Sequence, residues 1–512
     1  MTSPSEKLAA SLKVLKKLQD DGRRVFRSDE FTRVHRERLL YNGYLQEVMK
    51  GWVISSNPDV RAGDSTPWYT SFWEFCRQYC TSRFGSNWYL APEQSLLLLA
   101  ENSVVPSQLV ICSPNGTNNV VELLFGTSLF DLKQEEMPLE NDLTERFGVR
   151  VLSPIAAIIR VPVSFYRKFP VEAYTVIAGI QDLSDVLRRL LDGGHSTIAG
   201  RLAGAFRNIG RGEFADEILS AMKSAMYDVR EADPFASDQL TRTTQIPVSP
   251  ISIRLEALWE SMRGEVIDAF PVPPGLPNDR ESYLHHVESN YANDAYHSLS
   301  IEGYQVTPDL IERVRSGSWD PGKHEIDRQN RDALAARGYW QAFQLVRKAV
   351  ERILHGENPG SIARSTHQDW YRELFQPYVA AGLIPPAELA GYRNTQVFLR
   401  LSRHVPPRSE SVPQAMSTIF DLLERESEVS VRAVLGHWLI GYIHPYADGN
   451  GRIARFLMNL ILASGGYPWT VIRVEDRTDY LSCLETASVG NEIGPFASFI
   501  AERLRGNMDS PE

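Results

Sequence analysis

The sequence predicts a mainly α fold built in successive parts, and three observations carry that prediction. From Tyr283 to the C-terminus, apolar residues recur almost throughout at helical spacing. Runs with strand character, Leu109 to Cys112, Val120 to Leu124 and Val149 to Leu152, are confined to the middle of the chain, where Leu183 to Leu191 and Arg201 to Ile209 suggest helices, so this region reads as α/β. The first 58 residues read as helices followed by a hairpin. With 512 residues, 43% of them hydrophobic, the chain can build several sizeable cores. We divide it into 1–58, 59–232, a linker and connecting helix at 233–280, and a helical domain at 281–512.

The elements justify themselves in order. Leu8 to Leu18 is amphipathic, Ser28 is a candidate N-cap for a second helix, and Thr32 to Asn42 carries Arg33, His35, Arg36 and Arg38. Tyr44 to Ile54 reads as two short strands around a Lys50-Gly51 turn. Helices followed by a hairpin make a winged helix, with Arg33, Arg36 and Arg38 on the reading helix and Lys50 on the wing as candidate contacts to duplex DNA. Residues 1–50 hold eleven Lys or Arg against seven Asp or Glu, although the whole chain carries −10. That total excludes wholesale coating of nucleic acid. A protein-binding scaffold is the alternative. Through the Leu39-Leu40-Tyr41-Asn42-Gly43-Tyr44-Leu45 passage and the weakly patterned middle, residues 1 to about 230 resemble the AbiEi-like antitoxin family, whose winged helix represses its own promoter.

Cys76, Cys80, Cys112 and Cys483 make neither a disulfide lattice nor a zinc set, and buried thiols are expected. No apolar run approaches membrane-spanning length and the N-terminus is polar, so no membrane partner and a cytoplasmic location are expected. Proline-bearing stretches at 234–250 and 271–277 bracket a helix over 253–269.

The chemistry concentrates at 444–455, His-Pro-Tyr-Ala-Asp-Gly-Asn-Gly-Arg-Ile-Ala-Arg. His444 is a base with a pKa near neutrality. Gly449, Asn450 and Gly451 make a tight turn whose N–H groups, at a helix start, face an anion. Asp448 beside that site can share Mg²⁺ with phosphate oxygens. Arg452 and Arg455, three apart, share a helix face. Val431, Val434, Leu435, Trp438, Leu439, Tyr442 and Ile443 form a helical stripe before the loop, and Ile453, Phe456, Leu457, Leu460 and Ile461 form one after it.

This dozen looks like the signature of the Fic family (Fido fold), enzymes that transfer AMP from ATP to protein hydroxyls. Tyr446 stands where the family more often has Phe. The resemblance implies that His444 deprotonates a target Ser, Thr or Tyr, that Asp448 holds Mg²⁺, that Gly449 to Gly451 cradle the α- and β-phosphates of ATP, and that Arg452 and Arg455 neutralise the outer phosphates. Ser298, Glu302 and Gly303, in Ser-x-x-x-Glu-Gly spacing, resemble the family's inhibitory helix, which implies that Glu302 pairs with Arg455 and blocks the γ-phosphate. Gln396, Val397, Phe398 and Leu399 resemble the flap, a β-hairpin edge on which a target segment lies. Arg477, Tyr480 and Leu484 fall where relatives close the adenine pocket. The expected function is an autoinhibited protein adenylyltransferase acting on a protein target, the chain itself included. A DNA-binding regulator with a nucleotide-sensing Fic unit, and AMP removal by the same site, are the alternatives.

Overall fold

A computed structural model describes residues 3–58, 63–235, 249–318 and 331–508. The chain divides into two compact units. The first comprises 1–250 together with 398–405, and the second 251–397 together with 406–512. This differs from the four-part reading. The helix Pro250–Ala269, expected as a connector, is buried along Ile251 to Leu258 and belongs to the second unit. Its Arg254 donates to the Tyr442 hydroxyl (2.9 Å) and its Trp259 to Glu426 (3.1 Å). The 236–248 part of the expected proline-bearing linker lies outside the described residues.

The first unit opens with α1 (Pro4–Gln19), whose Ser3 and Glu6 form a reciprocal cap. There follow β1 (Val25–Arg27), α2 (Arg33–Tyr41), β2 (Leu45–Met49) and β3 (Trp52–Ser55). Thr32 caps α2, accepting from the His35 N–H, while Ser28 starts only a short 3₁₀ turn, Ser28–Glu30. The three strands pair antiparallel in the order β1-β3-β2, and β2 meets β3 around Lys50-Gly51, where Gly51 takes φ +92°. Leu15, Phe26, Phe31, Leu39, Leu45 and Val53 form the core beneath them.

The middle region is α/β. Tyr89–Leu90, Gln108–Ser113, Ser128–Lys133 and Asn119–Glu122 lie side by side in that order, with one parallel pair, Gln108–Ser113 against Ser128–Lys133. Val149–Leu152 leaves this sheet and makes a hairpin with Leu143–Arg146. Helices Ser184–Asp192 and Ser196–Asn208 cover the expected positions. Cys76, Cys80 and Cys112 are buried, and burial raises their thiol pKa values.

The second unit is helical, and no helix among the described residues is long and apolar enough to cross a membrane. Its centre is the pair Val429–Ile443 and Asn450–Ser464. The stripes read from the sequence understate these helices, which are buried on nearly all sides because other helices of the unit surround them. The expected β-hairpin flap is absent as a hairpin, since residues 391–408 are turns and irregular chain. Side chains, and not a backbone ladder, join its limbs. Arg393 Nη1 donates to Thr395 O and Gln396 Nε2 to Pro406 O (both 2.8 Å), while Pro406 and Pro407 have no N–H for a ladder.

Candidate functional site

The loop 444–449 joins the two central helices, and its shape is enforced locally. His444 ends the first helix in a left-handed conformation (φ 51°, ψ 61°), and its N–H donates to Ile440 O. Gly449, at φ +83°, opens the second helix. The Asn450 side chain was expected to help cradle phosphates, but it is spent on the loop: its Oδ1 accepts from Tyr446 N and its Nδ2 donates to Tyr446 O, both at 2.9 Å. Backbone N–H groups are therefore the turn's contribution to an anion. Tyr446 stacks on Tyr371 with ring centres 4.0 Å apart, and its buried hydroxyl makes no hydrogen bond.

The two arginines differ sharply. Arg455 is buried and held by three bonds: Nε donates to Ser298 Oγ (2.8 Å), and Nη2 to Ser298 O (3.1 Å) and Glu302 Oε1 (2.6 Å). Arg452 is fully buried, yet none of its three side-chain nitrogens makes a hydrogen bond. Its guanidinium lies 5.4 Å from the Tyr304 ring centre and 5.0 Å from that of Phe375, and its nearest carboxylate, Asp448, is 3.5 Å away. Asp448 thus pairs with its charge at a distance, but buried N–H groups left without an acceptor are costly and suit a further anion. Tyr304 and Phe375 were missed by sequence reasoning, because aromatic residues at helix-packing positions carry no local mark of their partner.

Ser298, Glu302 and Gly303 come together on this pair. The helix Tyr291–Ile301 ends at Glu302, and Gly303 turns the chain at φ +91°. A Cβ on Gly451 would lie 2.3 Å from Glu302 Oε1, so the missing side chain is what admits the carboxylate to the first turn of the 450–464 helix. The carboxylate thus occupies a helix N-terminus suited to a phosphate. Burial opposes its charge, but Arg455 and then Arg452 outweigh burial and hold its carboxyl below the ordinary value. Burial opposes the Arg455 charge too, and Glu302 more than offsets it. The same helix is tied down elsewhere: Tyr339 donates to the buried Asp294 (2.6 Å).

Burial drives the His444 pKa down to about 4, with Arg393 adding to the effect while Glu302 and Asp448 act against it. The imidazole is therefore neutral at pH 7 and able to accept a proton. Asp448 is half-exposed, and its Oδ1 accepts from Gly449 N (2.6 Å). No three-residue His, Cys, Asp or Glu cluster occurs among the described residues. A lone carboxylate fits a Mg²⁺ shared with substrate phosphates.

Other expected site residues are placed differently. Tyr480 is buried with its hydroxyl 2.8 Å from His437 Nε2, so it stands inside the core beside Arg455's surroundings. Arg477 Nε donates to Ile301 O (2.8 Å), capping the helix that carries Glu302, and Leu484 is half-buried. Gln396 and Val397 lie in the second unit, but Phe398 and Leu399 belong to the first, where the same segment is held by Arg400 to Asp64 (3.1 Å) and Leu401 N to Thr66 Oγ1 (3.1 Å). In the N-terminal module, Arg38 Nη1 donates to Lys7 O (2.8 Å) and Ser11 Oγ (2.9 Å), a tie between α2 and α1. Arg36 reaches Ser28 O (3.3 Å), Arg33 is exposed but paired with Glu37 (2.7 Å), and Lys50 is exposed at the turn.

Residues 361–462 match the Fic/DOC family. The chain is 34% identical over 250 residues to the protein adenylyltransferase Fic of Nematostella vectensis, covering 47% of this chain and 52% of that protein. It is 35% identical over 234 residues to protein adenylyltransferase fic-1 of Caenorhabditis elegans, covering 45% and 41%. The chain thus spans about half the length of the curated relatives it matches. A solved fragment of C. elegans Fic-1 aligns at 18% identity and a TM-score of 0.37, over 66% of this chain and 96% of that one. The segment matched to the Fic/DOC family holds His444, the glycine turn and both arginines.

Proposed function

We propose that this protein transfers AMP from ATP to a Ser, Thr or Tyr hydroxyl of a protein target, and that Glu302 holds it off. The observation that carries the reading is the arginine pair: Arg455 neutralised by Glu302 at 2.6 Å beside a buried Arg452 with no hydrogen-bond partner. That is a polyanion site with a carboxylate standing in it. The relatives' name, protein adenylyltransferase, supports the same chemistry.

In this reading the neutral His444 imidazole takes the target's hydroxyl proton as the oxygen attacks the α-phosphorus of ATP. The bond from that phosphorus to the bridging oxygen breaks, and pyrophosphate leaves with its electrons. Backbone N–H groups of Gly449 to Gly451 hold α- and β-phosphate oxygens, and Arg452 and Arg455 stabilise the departing charge. Mg²⁺, shared between Asp448 and the phosphates, would supply further charge neutralisation. A target segment would lie along the stretch that contains Gln396 and Val397, and the chain itself is a candidate target. Labelled ATP with Mg²⁺ tests the reading. Label should accumulate on protein in the Glu302→Gly variant, and adding His444→Ala should lower it by roughly 10²- to 10⁴-fold. Labelling that survives loss of His444 refutes the mechanism.

A second activity is proposed for the N-terminal module. Its order of helix, strand, 3₁₀ turn, helix and hairpin, with strands β1-β3-β2, supports a winged helix that binds duplex DNA. Arg33 and Lys50 are its exposed basic candidates. Arg33→Ala with Lys50→Ala should weaken a salt-sensitive gel shift, and no shift by the parent chain at low salt removes the proposal.

A further inference from the structure

We propose that Arg393 is a positioning residue for this reaction, coupling the stretch that would hold the target to the turn that carries the base. The inference rests on the transferase reading above and goes beyond it, since neither composition nor motif singles this arginine out.

The geometry is specific. Arg393 is 6% exposed. Its Nε donates to His444 O (2.8 Å) and its Nη2 to Ile443 O (3.3 Å), while its own backbone N–H donates to Pro445 O (2.9 Å). One residue thus satisfies three consecutive carbonyls at the end of the 429–443 helix. Ile443 O is among the last carbonyls of the helix, which lack intrahelical partners, and those of His444 and Pro445 lie in the largely buried loop just beyond it. The turn also places a non-glycine residue, His444, in the left-handed region, a strained conformation that persists only where surrounding bonds over-determine it.

The other edge of the same guanidinium reaches the opposite side. Nη1 donates to Thr395 O (2.8 Å) and Nη2 also to Pro407 O, one on each limb of the irregular stretch that replaces the expected hairpin. Gln396 then bridges the limbs through Pro406 O. All the partners are carbonyls, so the planar fork is used for its shape as well as its charge. A target hydroxyl lying on this stretch would meet the imidazole at a separation set by one rigid side chain. The charge has a second consequence: of the charged groups facing His444, Glu302 and Asp448 favour its protonation, and Arg393 opposes them and assists burial.

The test uses the full chain carrying Glu302→Gly, with Arg393→Lys and Arg393→Gln added separately, and reads self-labelling from labelled ATP and Mg²⁺. Arg393→Lys keeps a cation but loses the fork. Its kcat should fall by about 10²-fold, the loss expected for a misplaced reacting pair, while KM for ATP stays within about twofold. Its acid limb should stay in place, whereas that of Arg393→Gln should move to higher pH. An undiminished kcat in Arg393→Lys overturns the proposal, as does a loss of kcat matched by an equal weakening of ATP binding. Amide hydrogen exchange supplies an arm independent of activity. In Arg393→Lys, the backbone amides of residue 393, held by Pro445 O, and of Tyr446, held by Asn450 Oδ1, should exchange faster together while the 450–464 helix stays protected. Unchanged exchange at either amide overturns the coupling. If the Glu302→Gly parent transfers nothing, the transferase reading fails, and the exchange arm still decides whether Arg393 joins the two stretches.

Discussion

Replacing Glu302 by glycine should release the site, and the structure sets the size of the effect. The carboxylate makes one charge-assisted bond of 2.6 Å to Arg455, and its own side chain keeps 27% of its exposure while Arg455 keeps 3%. Such a bond contributes about 1.5–3 kcal/mol, and partial solvent access favours the middle of that range over the 3–5 kcal/mol of a fully buried pair. If about 2 kcal/mol holds the closed arrangement, only about one molecule in thirty presents a free Arg455. ATP then binds productively in proportion to that fraction. Glu302→Gly should therefore raise the rate of AMP transfer by about 30-fold at subsaturating ATP. Ser298 still holds Arg455 through two bonds, so the arginine stays in place when the carboxylate goes. The assay is incorporation of labelled AMP over time, and thermal unfolding checks that the variant folds. Gly451→Ala sharpens the interpretation: its Cβ would collide with the Glu302 carboxylate but would also fill space beside the phosphate turn, so it should not mimic release. A flat or lowered rate in Glu302→Gly, with the protein folded, refutes the inhibitory reading of Ser298, Glu302 and Gly303.

The remaining expectations follow from single contacts. Because burial first, and Arg393 after it, bring His444 down to about 4, and a base works only when unprotonated, transfer in the released variant should stay level from pH 7 to about 5 and fall below that. A midpoint near 6.5 in the pH–rate profile would contradict it. Tyr446→Phe removes a buried hydroxyl that makes no hydrogen bond while keeping the stacked ring, so it should leave stability unchanged or raise it by up to about 1 kcal/mol, read as the urea midpoint. A drop of that size would mean that the hydroxyl has a partner. Asp448→Ala should weaken Mg²⁺-dependent ATP binding by calorimetry and stop transfer, and full activity in excess EDTA rules out the metal role.

The chemistry of the loop was legible in the sequence because it is local. His444, Asp448, the glycine turn and the arginines lie within a dozen residues, and backbone geometry alone delivers them to one place between two helices. The helical character of the second unit was legible for a similar reason: apolar spacing reports which face is hidden. Capping was less so, since Ser28 was the expected N-cap of α2 and Thr32 holds that place. What tertiary structure decided lies across long separations. Glu302 reaches Arg455 over 153 residues, a pairing that only the resemblance to an inhibitory helix implied, because spacing alone does not say whether a carboxylate at a helix end meets an arginine or water. The flap is no hairpin: Pro406 and Pro407 lack the N–H groups a ladder needs, and the side chains of Arg393 and Gln396 join its limbs instead. Arg38 ties α2 to α1 because α1 offered it Lys7 O and Ser11. A sequence states which groups are available to pair, and the fold determines which of them meet, because burial makes each unpaired polar group costly and so selects the arrangement that leaves few of them alone.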